Sequence, residues 1–169
     1  MTDDEFIKRL TAMREAIYRV SCAQLQRACD RDDAVQETLL KAWINRHKLR
    51  DERYMQTWVT RILINECHNI HRRQKRESAN QELTEQIPVA DPDVETNAEL
   101  YDALLRLDRK LRLPVVLHYI EGYHIKEISK ILGIPKGTVL WRLSKARKEL
   151  GLMLDTNDPG GSEQKRYQS

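Results

Sequence analysis

Residues 121–147 read EGYHIKEISKILGIPKGTVLWRLSKAR. Four apolar residues in the first part of this stretch recur at helical spacing: Ile125, Ile128, Ile131 and Leu132. Gly133 follows where the chain must turn tightly, and Pro135 suits the first turn of a new helix. The stretch therefore predicts two helices joined by a short turn, the helix-turn-helix arrangement.

The second of these helices has little apolar surface. Val139, Leu143 and Ala146 form a narrow seam, so only one side of the helix can pack. The other sides carry polar and basic residues that are free to meet phosphates or base edges: Lys136, Thr138, Arg142, Lys145, Arg147 and Lys148. This pattern indicates DNA as the partner. The alternative is a helical hairpin within an all-helical core, whose basic face is merely solvated.

The composition is that of a folded chain with one or two small domains. It has 169 residues, 40% of them apolar and 33% charged, with a net charge of +3. No apolar run approaches the roughly 20 residues that span a bilayer, and the acidic start of the chain does not resemble a secretory signal. We therefore expect a cytoplasmic protein. Its three cysteines are odd in number and widely spaced, which predicts reduced thiols.

Charges are segregated along the chain. Residues 61–76 hold five bases and one acid, whereas residues 77–95 hold six acids and no base. Pro88 and Pro92 interrupt any helical or strand periodicity in the acidic segment, which predicts a flexible linker. It would let two modules reach separate DNA sites, or it would be a tether with no further role. We expect an all-α fold of two small helical domains, with these ranges: 1–76, linker 77–95, helix-turn-helix domain 96–153, and a disordered tail 154–169.

Three helices are predicted in the N-terminal domain. Apolar residues from Phe6 to Leu25 mark the first helix, and apolar residues from Val35 to Ile44 mark the second. Polar residues of the second helix lie beside an exposed Leu40 and away from its apolar side: Asp33, Gln36, Glu37 and Lys41. That strip fits a protein-binding surface. A solvated face with a pair between positions 37 and 41 would give the same pattern.

The third helix, predicted to begin near Arg53 or Tyr54, has two chemically different sides. Its apolar side is expected to bury Trp58, Ile62 and Ile70. Cationic and amide side chains recur every three or four residues on the other side: Arg61, Asn65, His68 or Asn69, Arg72 and Arg76. Amides can read base edges while arginines anchor phosphates, so this stripe favours nucleic-acid binding over a solvated face. Tyr54 is the better candidate to stack on an unpaired base.

Three segments together resemble one family. Residues 32–43, DDAVQETLLKAW, resemble the polymerase-binding helix of the extracytoplasmic-function group of bacterial sigma-70 factors. Residues 57–67, TWVTRILINEC, are similar to the promoter-melting helix of that group. Residues 111–119, LRLPVVLHY, lead into its C-terminal helix-turn-helix. The motifs occur in family order and the resemblance covers residues 5–153.

The resemblance implies a transcription initiation factor, with no active site, metal or cofactor, that serves a stress or envelope response. Its partners would be core RNA polymerase, double-stranded promoter DNA, the melted non-template strand and an anti-sigma protein, with no insertion of the chain into a membrane. Core polymerase would contact Asp33, Gln36, Glu37, Leu40 and Lys41. The minus-10 element would contact Arg53, Tyr54, Arg61, Asn65, His68, Asn69, Arg72 and Arg73. The minus-35 element would contact His124, Lys126, Lys136, Thr138, Leu140, Trp141, Ser144, Lys145 and Arg147.

The sequence departs from the family pattern at a few of these positions. Leu140 and Trp141 stand where basic and small polar residues are common, and they offer no bidentate base reader. They would touch thymine methyls or a sugar edge and alter the promoter preference, or Trp141 would pack on a partner protein. Asn69 replaces a common aspartate, which removes a negative charge close to DNA.

Two rival functions fit parts of the sequence. Cys67, His68 and His71 cluster on one helix, but no second Cys or His pair completes a tetrahedral metal site. The stronger rival is a helix-turn-helix regulator that binds DNA without docking on polymerase. The helix from Asp33 to Trp43 discriminates between that regulator and a sigma factor.

Overall fold

The computed structural model describes residues 1–79 and 98–156, and every regular element within those ranges is helical. The N-terminal helices are α1 Asp3–Ala12, α2 Arg14–Gln24, α3 Ala28–Ile44 and α4 Met55–Ser78. The C-terminal helices are α5 Ala98–Arg106, α6 Arg109–Val115, α7 Ile125–Leu132 and α8 Lys136–Thr156. Short 3-10 turns cover Arg46–Lys48 and Glu52–Tyr54, and a π-helical turn covers Val116–Ile120. The predicted all-α fold is confirmed.

The predicted first helix, from Phe6 to Leu25, is wrong as a single element. The chain bends at Met13, where ψ is −8° and the backbone N–H is shared between the carbonyls of Arg9 and Leu10. This bend divides α1 from α2 while keeping Phe6 and Ile17 in the same core. The N-terminal core therefore contains four helices rather than three.

Helix α4 has two buried faces. Val59, Leu63 and Cys67 are fully buried and belong to the core shared with α2 and α3. A second face carries Thr57, Thr60 and Ile64, which are also buried and recur every three or four residues. The prediction of Ile70 as a buried residue is confirmed, whereas the other two predicted anchors, Trp58 and Ile62, are only partly buried.

The second face of α4 meets the C-terminal helices. Thr60 Oγ1 and Tyr123 OH lie 2.8 Å apart and share a hydrogen bond, and α7 packs along α4. Burial raises the pKa of the Tyr123 phenol, so this hydroxyl stays protonated at neutral pH. A second contact joins α2 to the turn before α7: Arg19 Nε and Nη2 donate to the two carboxylate oxygens of Glu121 at 2.8 and 3.2 Å. The two groups of helices thus form one closed body.

Arg112 ties the start of the C-terminal helices to α2. Its guanidinium donates to the backbone carbonyls of Leu104, Leu105 and Leu107, at 2.8 to 2.9 Å, and to that of Ala23 at 3.0 Å. These carbonyls lie at or beyond the ends of α5 and α2, where helix carbonyls lack intrahelical donors. One side chain therefore closes the corner between α5 and α6 and anchors it to the N-terminal helices.

The helix-turn-helix is confirmed in its details. Gly133 ends α7 in the left-handed conformation, with φ of 66°, and Ser129 Oγ donates to the Ile134 carbonyl across the turn at 2.6 Å. The Pro135 carbonyl then accepts the first backbone hydrogen bonds of α8. The predicted seam of α8 is buried to 1% exposure or less: Val139, Leu143 and Ala146.

Parts of the predicted organisation lie outside the described residues. Helix α4 runs to Ser78, two residues into the range 77–95, because the intervening sequence has no glycine or proline to end it. Residues 80–95 of that range and residues 157–169 of the predicted tail are not described. No described helix has the length and hydropathy needed to cross a membrane.

We predict that Arg112→Met lowers the free energy of unfolding by about 2–4 kcal/mol, because partly buried carbonyls lose a charged donor. Urea denaturation followed by circular dichroism measures this change. Arg106→Met removes an exposed arginine from the end of α5 and is the matched control, with an expected change within about 0.5 kcal/mol. Equal denaturation midpoints for the two variants would contradict the anchoring role of Arg112.

Candidate nucleic-acid interface

Helix α4 presents the predicted cationic and amide stripe to solvent. All six predicted residues of this helix are exposed: Arg61, Asn65, His68, Asn69, Arg72 and Arg73. Arg72 donates to the side-chain oxygen of Asn69 one turn earlier, so an amide and a guanidinium are held next to each other. A bidentate donor beside an adaptable amide suits contact with phosphates and base edges.

The stripe continues into a cleft that the sequence did not predict. His71 and Lys75 of α4 and Arg109 of α6 line this cleft together with residues of the stripe. Burial lowers the pKa of both His68 and His71, and the positive charge of Arg109 lowers them further. Arg109 is distant in sequence from α4, so no local pattern could have placed it here.

The two predicted residues before α4 lie in a short turn with a fixed backbone. Asp51 caps the turn by accepting from the backbone N–H of Arg53 at 3.0 Å and from its guanidinium at 2.8 Å. The Arg53 side chain holds the pKa of Asp51 below its usual range and remains largely exposed. Tyr54 is half exposed, and Lys130 Nζ of α7 lies 5.1 Å from the centre of its ring. A base could stack on Tyr54 only after α7 moves or from the uncovered side.

The predicted strip on α3 is exposed apart from its last member. Asp33, Gln36, Glu37 and Leu40 face solvent, and Leu40 is a large apolar side chain exposed to 52%. Lys41 is half-buried.

Lys41 joins the α3 strip to α4. Its Nζ lies 2.7 Å from Glu66 Oε1 and 3.5 Å from Glu37 Oε1. The pair between positions 37 and 41 therefore forms, but the shorter contact crosses to α4, and it raises the pKa of Lys41 most strongly. The carboxylate of Glu37 and the apolar Leu40 remain accessible to a protein partner.

The outer side of the helix-turn-helix is exposed and basic. The predicted residues that face solvent are His124, Lys126, Lys136, Leu140, Trp141, Ser144, Lys145 and Arg147, while Thr138 is partly buried. The His124 backbone N–H donates to Glu127 Oε2 at 2.8 Å, which fixes the start of α7. Arg147 Nη1 donates to the Tyr119 hydroxyl at 2.7 Å and is partly committed within the fold.

Two large apolar side chains stand on the exposed side of α8. Leu140 is exposed to 54% and Trp141 to 59%, although each would bury readily in a core. Lys145 Nζ lies 5.1 Å from the Trp141 ring, so an ammonium group accompanies the indole one turn along. This surface therefore presents an apolar side chain together with a cation that can bind a phosphate.

The metal alternative has no support from the side-chain geometry. Within residues 1–79 and 98–156, no three His, Cys, Asp or Glu side chains converge as a metal site. Cys67 lies in the core, and burial raises the pKa of its thiol to about 12. A protonated, buried thiol is a poor metal ligand.

Comparisons with known proteins match both halves of the chain. The family model "Sigma-70 region 2" matches residues 10–77, and the model "Sigma-70, region 4" matches residues 97–150. The first range contains α3 and α4 with their exposed strips, and the second contains the helix-turn-helix. The two regions thus coincide with the two groups of helices.

Relatives and solved structures agree with these matches. The chain is 32% identical over 140 residues to the ECF RNA polymerase sigma factor SigM of Mycobacterium tuberculosis, covering 82% of this chain and 71% of the relative. It is 29% identical over 164 residues to the ECF RNA polymerase sigma factor SigW of Bacillus subtilis, covering 87% of each. The sigma factor RpoE of Bartonella quintana, solved with the anti-sigma factor NepR, has a similar fold, with a TM-score of 0.81 at 23% identity over 91% of this chain and 99% of that one. This chain belongs to the extracytoplasmic-function RNA polymerase sigma factors.

Proposed function

We propose that this sigma factor binds core RNA polymerase through α3 and directs initiation at promoters through α4 and the helix-turn-helix. The observation that carries this proposal is the presence of three exposed surfaces in one chain: the strip of α3, the cationic stripe of α4 and the basic side of α8. A helix-turn-helix regulator acting alone would need only the last of these. The protein acts in the cytoplasm as a binding factor and has no active site.

The three predicted ranges divide these tasks. Residues 1–76 bind polymerase and the minus-10 element, residues 77–95 link the domains, and residues 96–153 bind the minus-35 element. Lys130 of α7 lies over one face of the Tyr54 ring in the closed body, so a base would stack there on the uncovered face. An open form would present both faces of the Tyr54 ring to DNA, whereas the α3 strip is already accessible in the closed body.

Promoter melting is driven by binding energy rather than by covalent chemistry. Extruding a base costs a few kcal/mol, and stacking on an aromatic ring returns about 1–3 kcal/mol. Tyr54 supplies that ring, and Arg53 and Arg61 lie near enough along the chain to hold the flanking phosphates. Asn65 and Asn69 supply amides to read base edges.

An anti-sigma protein is a further partner. RpoE, whose fold this chain shares, was solved in complex with one. Such a partner would hold the chain inactive until a stress or envelope signal releases it.

Run-off transcription on fragmented genomic DNA tests the proposed function directly. Purified core polymerase is used with and without this protein, and the transcript starts are sequenced. We expect starts that require the protein and share two spaced motifs. A chain that binds polymerase yet yields no such starts would contradict promoter-directed initiation.

We predict that Glu37→Lys weakens binding to core polymerase by tenfold or more, because the strip loses an exposed carboxylate and gains a like charge beside Lys41. Fluorescence anisotropy with labelled sigma factor measures the affinity. Glu15→Lys makes the same charge change at an exposed position of α2 and should bind normally. Circular dichroism checks that both variants fold. Equal affinities of the two variants for polymerase would show that α3 is not part of the interface.

We predict that Trp141→Ala changes the sequence preference at the minus-35 element. Loss of an apolar contact to a thymine methyl should cost about 0.8 kcal/mol at one base pair, the value of one buried methylene group, and leave other positions unchanged. Selection from duplexes with a randomised minus-35 element measures the preference. Lys136→Ala, which removes a phosphate-seeking cation, should weaken all sequences alike. An unchanged preference in Trp141→Ala would show that the indole does not read DNA.

A further inference from the structure

The cleft between α4 and α6 extends beyond the proposed minus-10 surface to three residues that the proposed function does not use: His71, Lys75 and Arg109. Its volume is about 790 Å³, within the range of small-ligand sites. One wall is the outward side of α4 from Asn65 to Lys75, and the other wall includes Arg109 of α6. Because both groups of helices contribute, the cleft exists in this form only while the body is closed.

The cleft concentrates positive charge. Arg72, Lys75 and Arg109 line it, and its lining residues include no carboxylate. Among the described residues, no acidic side chain lies within ion-pair distance of Arg109 or Lys75. The positive charges of Arg109 and of Arg72 and Lys75 repel one another, and an anion between them would turn this repulsion into attraction.

Neutral groups in the cleft add hydrogen-bonding capacity. His71 Nε2 is buried without a hydrogen-bond partner in the described part of the chain, which is uncommon for a buried polar atom. His68 and two amides, those of Asn65 and Asn69, also face the cleft. Three cations match a ligand with several negative charges, and the amides match the polar edge of an attached ring.

We propose that this cleft binds a free anion of nucleotide size that carries two or more phosphate groups, and that binding holds the two groups of helices closed. The anion neutralises the charges that α6 and α4 bring together. The bound state is the closed body, so the ligand favours the form in which α7 covers Tyr54. This site goes beyond the proposed function, although its α4 wall overlaps the proposed minus-10 surface.

Titration calorimetry on the full chain tests the site with two probes, sodium tripolyphosphate and ATP, in metal-free buffer. Arg109→Gln should weaken both by about tenfold or more, because a charged hydrogen-bond donor is lost from one wall. Lys110→Gln removes the same charge from the next residue of α6, which is exposed and outside the cleft, and should bind like the unaltered chain. Comparison of these two variants distinguishes a specific site in the cleft from general attraction of anions to a basic protein.

Three results would overturn the proposal. The first is no heat of binding for either probe at millimolar concentration. The second is equal weakening by Arg109→Gln and Lys110→Gln, which indicates diffuse attraction. The third is binding of a single-stranded minus-10 oligonucleotide that depends on Arg109 while neither free phosphate probe binds, which makes the cleft a stretch of DNA surface. Because calorimetry contains no polymerase, failed initiation in the transcription assay would leave this result unaffected.

Discussion

Burial of two faces of α4 positions every surface described above. Val59 and Leu63 fix this helix against α2 and α3, so the strip of α3 stands at a constant angle to the stripe of α4. The hydrogen bond of Thr60 with Tyr123 and the packing of α7 along α4 fix it against the C-terminal helices. The side of α4 that stays exposed carries the cationic and amide stripe. A helix of 24 residues with two buried faces leaves only one sector for charged side chains, which explains why its cations align.

The contact between Lys41 and Glu66 joins two surfaces that the proposed function treats separately. Glu66 is mostly buried, and its carboxylate is held by a lysine that borders the α3 strip. A buried carboxylate needs such a partner, since an unpaired buried charge is costly. A protein that displaces Lys41 therefore perturbs α4 at the residue next to Asn65 and about one turn from Asn69. Through this interaction, a partner that docks on α3 can change the position of the DNA-facing stripe on α4.

Sequence patterns predicted the local elements better than their mutual packing. The helix-turn-helix was predictable because Gly133 and the seam from Val139 to Ala146 are local signals with defined spacing. The bend at Met13 was missed because it lies within an uninterrupted apolar period. The second buried face of α4 was missed because Thr57 and Thr60 are polar in composition, and their burial depends on helices that lie far along the chain.

For the predicted site residues, too, local features were predictable whereas contacts between distant helices were not. Exposure of the cationic stripe followed from helical periodicity, whereas the half-burial of Lys41 and the covering of Tyr54 by Lys130 required knowledge of which helices meet. Arg109 has no sequence signal at all. Residues that act across two groups of helices are specified by topology, and a single sequence reveals topology only through a family resemblance.

The closed body is held by individual polar contacts, by the Arg112 anchor and by one apolar cluster that spans both groups of helices. The pair of Arg19 and Glu121 is partly exposed on the arginine side and contributes about 0–1 kcal/mol, and the hydrogen bond of Thr60 with Tyr123 contributes about 0.5–1.5 kcal/mol. Apolar packing between the two groups of helices adds to these contacts, since one buried cluster contains residues of both. Opposing these, three like charges converge where α6 approaches α4. These like charges offset part of the stabilisation, so an anion that neutralises them would favour the closed state.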